Sequence, residues 1–295
     1  PSRPIRMLTG FIAGGGSDIA ARAVSMKLPD ILGQSVVVDN RPGATGAIAG
    51  EMIARAQPDG YTVMMLAVAQ LVANAFEDKL PYDIERDFAG VSYVARNPYL
   101  IEVPVALPAR TVREFIDLAK AQPAKLNYGS SGIGGSNHVV TEIFASAAGI
   151  KLTHVPYKGP TAALADVASG QLQLAIASIT SGLPLARAGK VRVLAVTSLT
   201  RSKVLPEVPT LAQTLPGLEL IGWYGVVAPK RTPEPIVNRL SQAIDDVLRS
   251  QEVKDRLMTD GSEAVGGAAA VIDKHMRSEL ARLRKVIKEA GIRRE

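Results

Sequence analysis

The amino-acid sequence predicts an α/β protein of two doubly wound lobes joined by two crossing strands. Nearly continuous apolar strands alternate with helical patterns, which is typical of parallel sheets covered on both faces. Two units of strand, Gly-rich turn and helix lie about half the chain apart, and two further strand-like runs are placed to connect the lobes. We therefore predict a first lobe of residues 1–98 and 225–295, a second lobe of residues 99–224, and a ligand cleft between them.

The first Gly-rich turn follows the first predicted strand, residues 5–11. Residues 14–16 are all glycine, and the helical pattern of residues 19–31 comes after them. Glycine lets the backbone bend sharply and approach a ligand, and the first amides of a helix have no partner within it. The turn is therefore a candidate anion-binding site. Glycines also form tight strand-to-helix connections without any ligand, and the residues leave both uses open.

The alternation of strand and helix continues through the first lobe. Residues 35–39 form a β-branched strand, residues 47–56 a helix, and residues 61–68 the next strand. Open α/β sheets bind ligands beyond the carboxyl ends of their strands. Ala69 and Gln70 follow the last of these strands directly and are therefore candidate ligand contacts.

Two segments are predicted to cross between the lobes. In the first, strands over residues 91–95 and 100–103 are separated by Pro98, which marks a bend because proline cannot donate to a sheet. The second is a return strand over residues 219–228. Trp223 lies in this strand and is interpreted as a packing residue near the hinge, with a ligand contact as the alternative.

The second Gly-rich turn is central to the second lobe. It covers residues 129–135, between a strand over residues 125–128 and a helical pattern that begins at Val139. Neither turn has the Lys-Ser or Lys-Thr pair of a phosphate loop, and the first lacks the spaced glycines of a dinucleotide fingerprint, so a nucleotide is not favoured. We predict instead that both turns present backbone amides to one shared ligand.

The other strands of the second lobe add two candidates. These strands are predicted over residues 152–157, 172–178 and 191–196. Tyr157 is placed where its phenol can reach the cleft edge, and Ser178 lies at the carboxyl end of its strand, where ligands bind.

Helix boundaries follow from capping residues. Thr111 is predicted to cap a helix over residues 112–121. Near the C-terminus, Thr232 is placed as an N-cap and Pro233 as the first helical residue. Two more helices complete the chain, the last of them ending at about residue 291.

Length and composition exclude several classes of function. The 295 residues can bury two cores, and 47% hydrophobic with 21% charged residues is typical of a globular protein. The absence of cysteine excludes disulfides, thiol catalysis and thiolate metal sites. Aromatic residues make up 4%, too few for a platform on which bases stack, so no nucleic-acid partner is expected. No apolar run is long enough to span a bilayer.

The formal net charge of +6 favours anionic partners through long-range attraction. The excess lies near the C-terminus, where basic residues alternate with Glu279 and Glu289 in an amphipathic pattern. These basic residues are Arg277, Arg282, Arg284, Lys285, Lys288, Arg293 and Arg294. The pattern is more typical of a solvated helix face than of a binding site.

Catalytic and metal-binding patterns are weak. Ser131 and Ser136 offer hydroxyls with His138 nearby, but the glycine spacing of a nucleophile elbow is missing, so an acyl hydrolase is a minor alternative. The three histidines occur singly, which predicts no metal site. His154 is interpreted as a structural residue of an apolar strand, and His275 as part of the terminal helix surface.

Asp18 requires its own interpretation, because a carboxylate is unusual in an anion-binding turn. Its position at a helix start is typical of a cap or a first-turn acid, which stabilises a helix by about 1 kcal/mol. The alternative is a bond to a ligand amine or to the second turn.

Several short motifs occur in order along the chain. They are Phe11-Ile12-Ala13-Gly14-Gly15-Gly16-Ser17-Asp18, Asn40-Arg41-Pro42-Gly43-Ala44-Thr45-Gly46, Pro58-Asp59-Gly60-Tyr61, Leu80-Pro81-Tyr82-Asp83, Val155-Pro156-Tyr157-Lys158-Gly159 and Leu194-Ala195-Val196-Thr197. Together they resemble the Bug family of extracytoplasmic solute receptors, the TctC-like substrate-binding components of tripartite tricarboxylate transporters. The resemblance covers essentially the whole chain.

This resemblance implies a periplasmic binding protein of the type II fold, two lobes that close on a small carboxylate. It implies export to the periplasm with removal of a leader before Pro1, a monomer without cofactor or metal, and integral-membrane transporter subunits as partners. A ligand sensor for a membrane signalling partner is the alternative role. In the family the two turns hold a ligand carboxylate through backbone amides and ordered water.

The candidate ligand-binding residues combine the residues carried over from the family with those at the strand ends. They are Phe11, Ile12, Ala13, Gly14, Gly15, Ser17, Asp18, Ala69, Gln70, Ser130, Ser131, Gly132, Gly134, Gly135, Ser136, His138, Tyr157 and Ser178. The chain departs from the family at Ile12, where proline is usual, and at Ser178, where an acid or amide is common. The loss of an acid there argues against an amino-acid ligand.

Overall fold

The computed structural model describes residues 1–76, 80–289 and 291–292. Arg293 and Arg294 of the basic C-terminal segment lie outside the described residues. The strands are β1 (Ile5–Thr9), β2 (Val36–Asn40), β3 (Thr62–Ala67), β4 (Phe88–Pro104), β5 (Asn127–Ser130), β6 (Thr153–Pro156), β7 (Leu174–Ser178), β8 (Val191–Val196), β9 (Ile221–Pro229) and β10 (Glu263–Ala264).

Helices follow most of the strands, as an α/β protein requires. They are α1 (Gly16–Ser25), α2 (Leu28–Leu32), α3 (Ala47–Ala54), α4 (Val68–Ala75), α5 (Ile84–Asp87), α6 (Val112–Ala121), α7 (Ser136–Ala148), α8 (Pro160–Ser169), α9 (Ile179–Arg187), α10 (Glu234–Leu248), α11 (Gln251–Met258) and α12 (Ala269–Glu289). The α/β class predicted from the alternating patterns is confirmed. None of these helices has both the length and the apolar composition of a membrane-spanning segment.

By their internal contacts the residues form two compact units. Unit 1 consists of Pro1–Arg96 and Trp223–Arg284, and unit 2 of Asn97–Gly222 with the segment that begins at Lys285. Strands β4 and β9 each pass from one unit to the other. The lobe ranges derived from the sequence remain a prediction.

Unit 1 is organised on a sheet in the order β2-β1-β3-β9-β4, with β10 also paired to β4. Strands β1, β2 and β3 are parallel, and β9 runs antiparallel to β3. Met7 and Val63 pair in register, and both are buried with apolar residues of α1, α10 and α11 in one core. This core fixes the carboxyl end of β1, from which the first Gly-rich turn starts.

Unit 2 has a smaller sheet in the order β4-β7-β5-β6, with β8 on the other side of β4. Strands β5, β6 and β7 are parallel, while β4 runs antiparallel to β7. Leu164 and Val167 of α8 are buried with Leu172, Ala175 and neighbouring residues in a core of unit 2. The second Gly-rich turn leaves the carboxyl end of β5.

Three predicted features differ from the structure. Strand β4 is continuous through Pro98, because its sheet partner changes there from β10, opposite Arg96, to β7, opposite Tyr99. Pro233, rather than Thr232, is the N-cap of α10. The helix predicted over residues 19–31 is two helices, α1 and α2.

His275 was expected on the surface of the last helix, and this expectation is wrong. Its half-buried ring stacks on Tyr93, with ring centroids 4.6 Å apart, and meets Trp223 edge-on at 5.0 Å. Trp223 is 1% exposed, which confirms its packing role. The prediction that Thr111 caps α6 is also confirmed, since the Glu114 amide donates to its hydroxyl at 3.1 Å.

Glu102 is a buried acid in the core of unit 2. It lies in β4, is 0% exposed, and both its carboxyl oxygens lack a hydrogen-bond partner among the described residues. A methyl group at Gly182 of α9 would lie 2.2 Å from its Oε2, so only glycine leaves room for the carboxyl group. Burial raises the pKa of Glu102 from 4.5 to about 8, and the group is therefore protonated at neutral pH.

The raised pKa of Glu102 makes the stability of the folded protein depend on pH, and we expect Glu102→Gln to remove this dependence. The folded protein keeps this proton to a pH of about 8, whereas the unfolded chain releases it near 4.5. Stability therefore falls as pH rises through this window, by about 1.4 kcal/mol per pH unit. The neutral amide of glutamine has nearly the same shape, so we expect E102Q to be more stable than the original protein by about 4 kcal/mol at pH 8.

Urea unfolding at pH 5 and pH 8 checks this expectation. Glu207→Gln, at an exposed glutamate of the same unit, is the matched control and should follow the original protein. Parallel pH curves for E102Q and the original protein would contradict the assignment of a protonated Glu102.

Candidate functional site

The Gly-rich turn of unit 1 connects β1 to α1. Gly15 is the N-cap of α1, with φ −76° and ψ 164°, and its amide donates to the carbonyl oxygen of Ile12 at 3.3 Å. Gly14 has a φ of +80°, which L side chains rarely adopt. The amides of residues 16–18, the first three of the helix, have no carbonyl partner within it. They form a row of donors at the positive end of the helix dipole.

Asp18 holds this turn from the inside. The Gly14 amide donates to its Oδ2 at 2.9 Å, and Asn40 Nδ2 donates to its Oδ1 at 3.0 Å. Arg22 Nε donates to both oxygens, at 3.1 and 2.9 Å. Burial alone would raise the pKa of Asp18, but the hydrogen bonds from Arg22, Gly14 and Asn40 outweigh it and lower the pKa. Asp18 is thus a first-turn acid and not the N-cap, and its charge is neutralised within unit 1.

The turn of unit 2 repeats this backbone geometry. Gly135 is the N-cap of α7, with φ −69° and ψ 157°, and its amide donates to the carbonyl oxygen of Gly132 at 3.1 Å. Gly134 has a φ of +71°, which is close to the +80° of Gly14. The amides of residues 136–138 are again without a helical partner. Each unit therefore presents one row of three outward amides.

His138 occupies the position in unit 2 that Asp18 has in unit 1. The Gly134 amide donates to its Nδ1 at 3.1 Å, so the ring hydrogen is on Nε2. Burial, with a smaller effect of His154, lowers the pKa of His138 to about 4. The two imidazoles stack with centroids 3.9 Å apart. The neutral imidazole of His138 thus accepts a hydrogen bond from a glycine amide, as the carboxylate of Asp18 does in unit 1.

Ser130 supports the second turn from the end of β5. Its hydroxyl is hydrogen-bonded to Nε2 of His154 at 2.6 Å and accepts the Gly132 amide at 3.1 Å. Ser130 is 2% exposed, and no carboxylate among the described residues is bonded to His154. A catalytic serine needs access to substrate and an oriented base, so this pair is suited to holding the turn rather than to nucleophilic attack.

Ser131 and Asn137 brace the same turn against the sheet. Ser131 Oγ donates to Asn137 Oδ1 at 2.9 Å, and Asn137 Nδ2 donates to the carbonyl oxygen of Ile176 in β7 at 2.9 Å. A methyl group at Gly135 would lie 2.7 Å from Ser131 Oγ. The turn is therefore closely packed on its inner side.

Gln70 is buried and hydrogen-bonded within its own unit, and the ligand contact expected for it remains a prediction. It is 0% exposed, and its Oε1 accepts the Ala67 amide at 2.9 Å, which caps α4. Its Nε2 points to the Gly46 carbonyl oxygen at 3.5 Å. Ala69 is half-buried in the first turn of the same helix. Gln70 therefore anchors the start of α4, a helix that the sequence pattern did not reveal.

Tyr157 and Ser178 also have partners within their own unit. The Tyr157 hydroxyl donates to Asp166 of α8, which together with burial raises the pKa of Tyr157 to about 12. Ser178 Oγ is hydrogen-bonded to Ser181 Oγ at 3.0 Å, at the start of α9. Contacts of Tyr157 and Ser178 with a ligand therefore remain predictions.

Sequence reasoning missed several residues that support the turns. Asn40 donates to the Phe11 carbonyl oxygen and to Asp18, both at 3.0 Å, and Arg22 pairs with Asp18. Asn40 could have been selected from the sequence, because it lies at the carboxyl end of a strand, where the rule that selected Ala69 also applies. Arg22 could have been selected as well, because it lies four residues after Asp18, a spacing at which side chains of one helix meet.

Gly16 packs against a buried acid behind the first turn. A methyl group there would lie 2.0 Å from the Tyr224 hydroxyl and 2.7 Å from Asp260 Oδ2. Asp260 is 1% exposed, and burial raises its pKa to about 6 despite hydrogen bonds from Ser262 and Tyr224. The turn is thus closely packed at Gly16. The described residues contain no cluster of His, Asp and Glu suited to a metal ion.

Solved structures define the class of protein. An R. palustris protein solved with adipate has 36% sequence identity and a TM-score of 0.84, with 99% of this chain and 98% of that chain covered. The periplasmic binding protein BugD has 29% identity and a TM-score of 0.81 over the whole of both chains. The fold is that of the periplasmic binding proteins, and the type II fold expected from the sequence is confirmed.

Sequence comparison then defines the family. The profile of the tripartite tricarboxylate transporter family receptor, TctC, matches residues 20–292. A relative described as "UPF0065 protein in tcbD-tcbE intergenic region", from Pseudomonas sp. (strain P51), is 38% identical over 98% of this chain and 87% of its own length. The chain belongs to the TctC receptor family, as its motifs indicated.

The packing behind the first turn predicts opposite tolerances for two adjacent glycines. Gly16→Ala places a methyl group against Tyr224 and Asp260, so we expect a loss of about 1–3 kcal/mol in the free energy of unfolding. Gly15→Ala meets only the Ile12 carbonyl oxygen at 3.4 Å with an ordinary φ of −76°, and should change stability by less than about 1 kcal/mol. Urea denaturation measures both variants, and equal losses would contradict this packing.

Proposed function

We propose that this protein is a periplasmic receptor that binds a small organic carboxylate for delivery to the integral-membrane subunits of a tripartite tricarboxylate transporter. The observation that carries the proposal is the repeated geometry of the two turns. In each, the amides of the first three helical residues lack a helical partner at a helix N-terminus. Such amides bind anions because the N–H groups and the helix dipole both favour negative charge. We propose that each turn is able to bind a ligand carboxylate.

The electrostatics of the turns support an anionic ligand. Arg22 pairs with Asp18, and the lowered pKa of His138 keeps its imidazole neutral at neutral pH. No net side-chain charge at these positions therefore opposes or replaces the amides. The net charge of +6 favours the approach of anions. The adipate bound to the related R. palustris protein is a carboxylate of the proposed kind.

We further propose that the protein acts as a monomer, without cofactor, metal or catalytic step. The serines offered for an acyl hydrolase support this, since Ser131 donates to Asn137 rather than to a base. Ser136, at the first position of α7, has no histidine as a hydrogen-bond partner among the described residues.

A thermal-shift screen against mono-, di- and tricarboxylates, aromatic acids, acidic amino acids and neutral amides tests the proposal. A ligand at one hundred times its dissociation constant adds about 2.7 kcal/mol to stability, which is readily measured. We expect stabilisation by carboxylates and none by the neutral amides.

The variant Gly15→Leu locates the binding in the turn. A side chain at Gly15 meets only the Ile12 carbonyl oxygen at 3.4 Å, so we expect leucine to leave the fold intact and to cover the adjacent amides. We expect the ligand-induced shift to disappear. Ser250→Leu is the matched control, because Ser250 is the N-cap of α11 in the same unit and makes no side-chain cap bond. Equal ligand-induced shifts in both variants would argue against binding at the turn.

A further inference from the structure

Unit 1 has a cavity of about 620 Å³ at the end of its sheet opposite to its Gly-rich turn. Strand β9 runs antiparallel to β3, so the last residues of β9 lie beside the start of β3. The Gly-rich turn follows the end of β1, which is parallel to β3. The residues that line the cavity are Ala54, Ala56, Gln57, Pro58, Arg86, Asp87, Pro229, Lys230 and Arg231.

Two of the lining cations belong to a β-turn that follows β9. The Thr232 amide donates to the Pro229 carbonyl oxygen at 2.9 Å, which places Lys230 and Arg231 at the two central positions of the turn. The Lys230 amide donates to the Asp87 carbonyl oxygen at 2.8 Å and ties the turn to the residue before β4. Both cationic side chains are exposed. A fixed backbone therefore presents two adjacent cations at the cavity.

The charges of these two cations are not neutralised within the described part of the chain. Arg86 Nε and Nη2 donate to the two oxygens of Asp87 at 2.8 and 2.7 Å, so the one acid of the lining is already paired. Among the described residues neither Lys230 nor Arg231 makes an ion pair, and this includes Glu234, three residues after Arg231. With three cations and one anion, the lining carries a net charge of +2.

The remaining walls neither cancel this charge nor fill the cavity. Helix α3 ends at Ala54, and a helix C-terminus carries about half a negative charge, which is less than the charge of the two side chains. The other walls include Ala56, Pro58 and Pro229, which have small side chains without charge. The cavity is therefore positive, with short apolar walls.

We infer that this cavity is a docking site for an acidic segment of a partner protein. Carboxylates of the segment pair with Lys230 and Arg231, and its short side chains lie between the alanine and proline walls. A free small anion would meet only exposed side chains, whose single ion pairs contribute little. A protein segment brings several carboxylates together, and each later pair forms at the high effective concentration that the first one sets.

This inference goes beyond the proposed function and does not depend on it. The cavity shares no residue with the Gly-rich turn of unit 1, and the sheet lies between the two places. A partner bound at the cavity leaves the amides of that turn uncovered.

Fluorescence anisotropy with a labelled peptide tests the docking site. The probe is an acetylated and amidated peptide in which glutamates alternate with glycines, and its twin carries glutamines in place of the glutamates. We expect the glutamate peptide to bind at least about fivefold more tightly than its twin. Its binding should weaken as the salt concentration rises from about 0.05 M to about 0.3 M, because exposed charges are screened.

A double variant of the turn locates the peptide. Lys230→Gln combined with Arg231→Gln removes both charges from exposed side chains, and we expect about fivefold to tenfold weaker binding of the glutamate peptide with little remaining salt dependence. Lys254→Gln combined with Arg256→Gln is the matched control, because these exposed cations of α11 belong to unit 1 and do not line the cavity. The control should bind the peptide as the original protein does.

Gly15→Leu separates this site from the Gly-rich turn, since the peptide also carries carboxylates. We expect G15L to bind the glutamate peptide with unchanged affinity. Loss of binding in G15L, equal weakening in the two double variants, or equal binding of the two peptides would each overturn the docking site. The carboxylate receptor would stand after any of these results, because the thermal-shift screen tests it separately.

Discussion

The hydrogen bond from the glycine directly before each N-cap to the side chain four residues later is the constraint on which the site depends. Gly14 donates to Asp18 and Gly134 donates to His138, at 2.9 and 3.1 Å. This bond uses the amide of the residue directly before the N-cap, and it orients the helix start that follows. The amides of residues 16–18 and 136–138 have no partner within their helices.

Two chemically different side chains fulfil this role without leaving a net charge. The Asp18 carboxylate is balanced by Arg22, and His138 is kept neutral mainly by burial. The field at each turn is therefore set by the helix dipole and the amides. The polar side chains nearby are hydrogen-bonded within the turns, while Ile12 and Ile133, which belong to the same turns, are exposed. Small-molecule sites typically combine a few fixed polar groups, which orient the ligand, with apolar side chains around them.

Much of the fold could be predicted, because strand and turn signals are local. Apolar runs gave the strands, and the glycines of residues 14–16 and 132–135 marked both turns at the correct strand ends. Side-chain direction could not be predicted in the same way, since Gln70 turns inward to an amide three residues away and to Gly46. The packing of His275 on Tyr93 and the continuity of β4 through Pro98 depend on partners distant in sequence.

A crystal structure of the complex with the acid that stabilises the protein most is the direct test of the central claim. We expect carboxylate oxygens about 2.7–3.2 Å from backbone nitrogens of residues 16–18 or 136–138, directly or through one ordered water. An acid bound with no contact to either group of amides would contradict the proposed role of the turns.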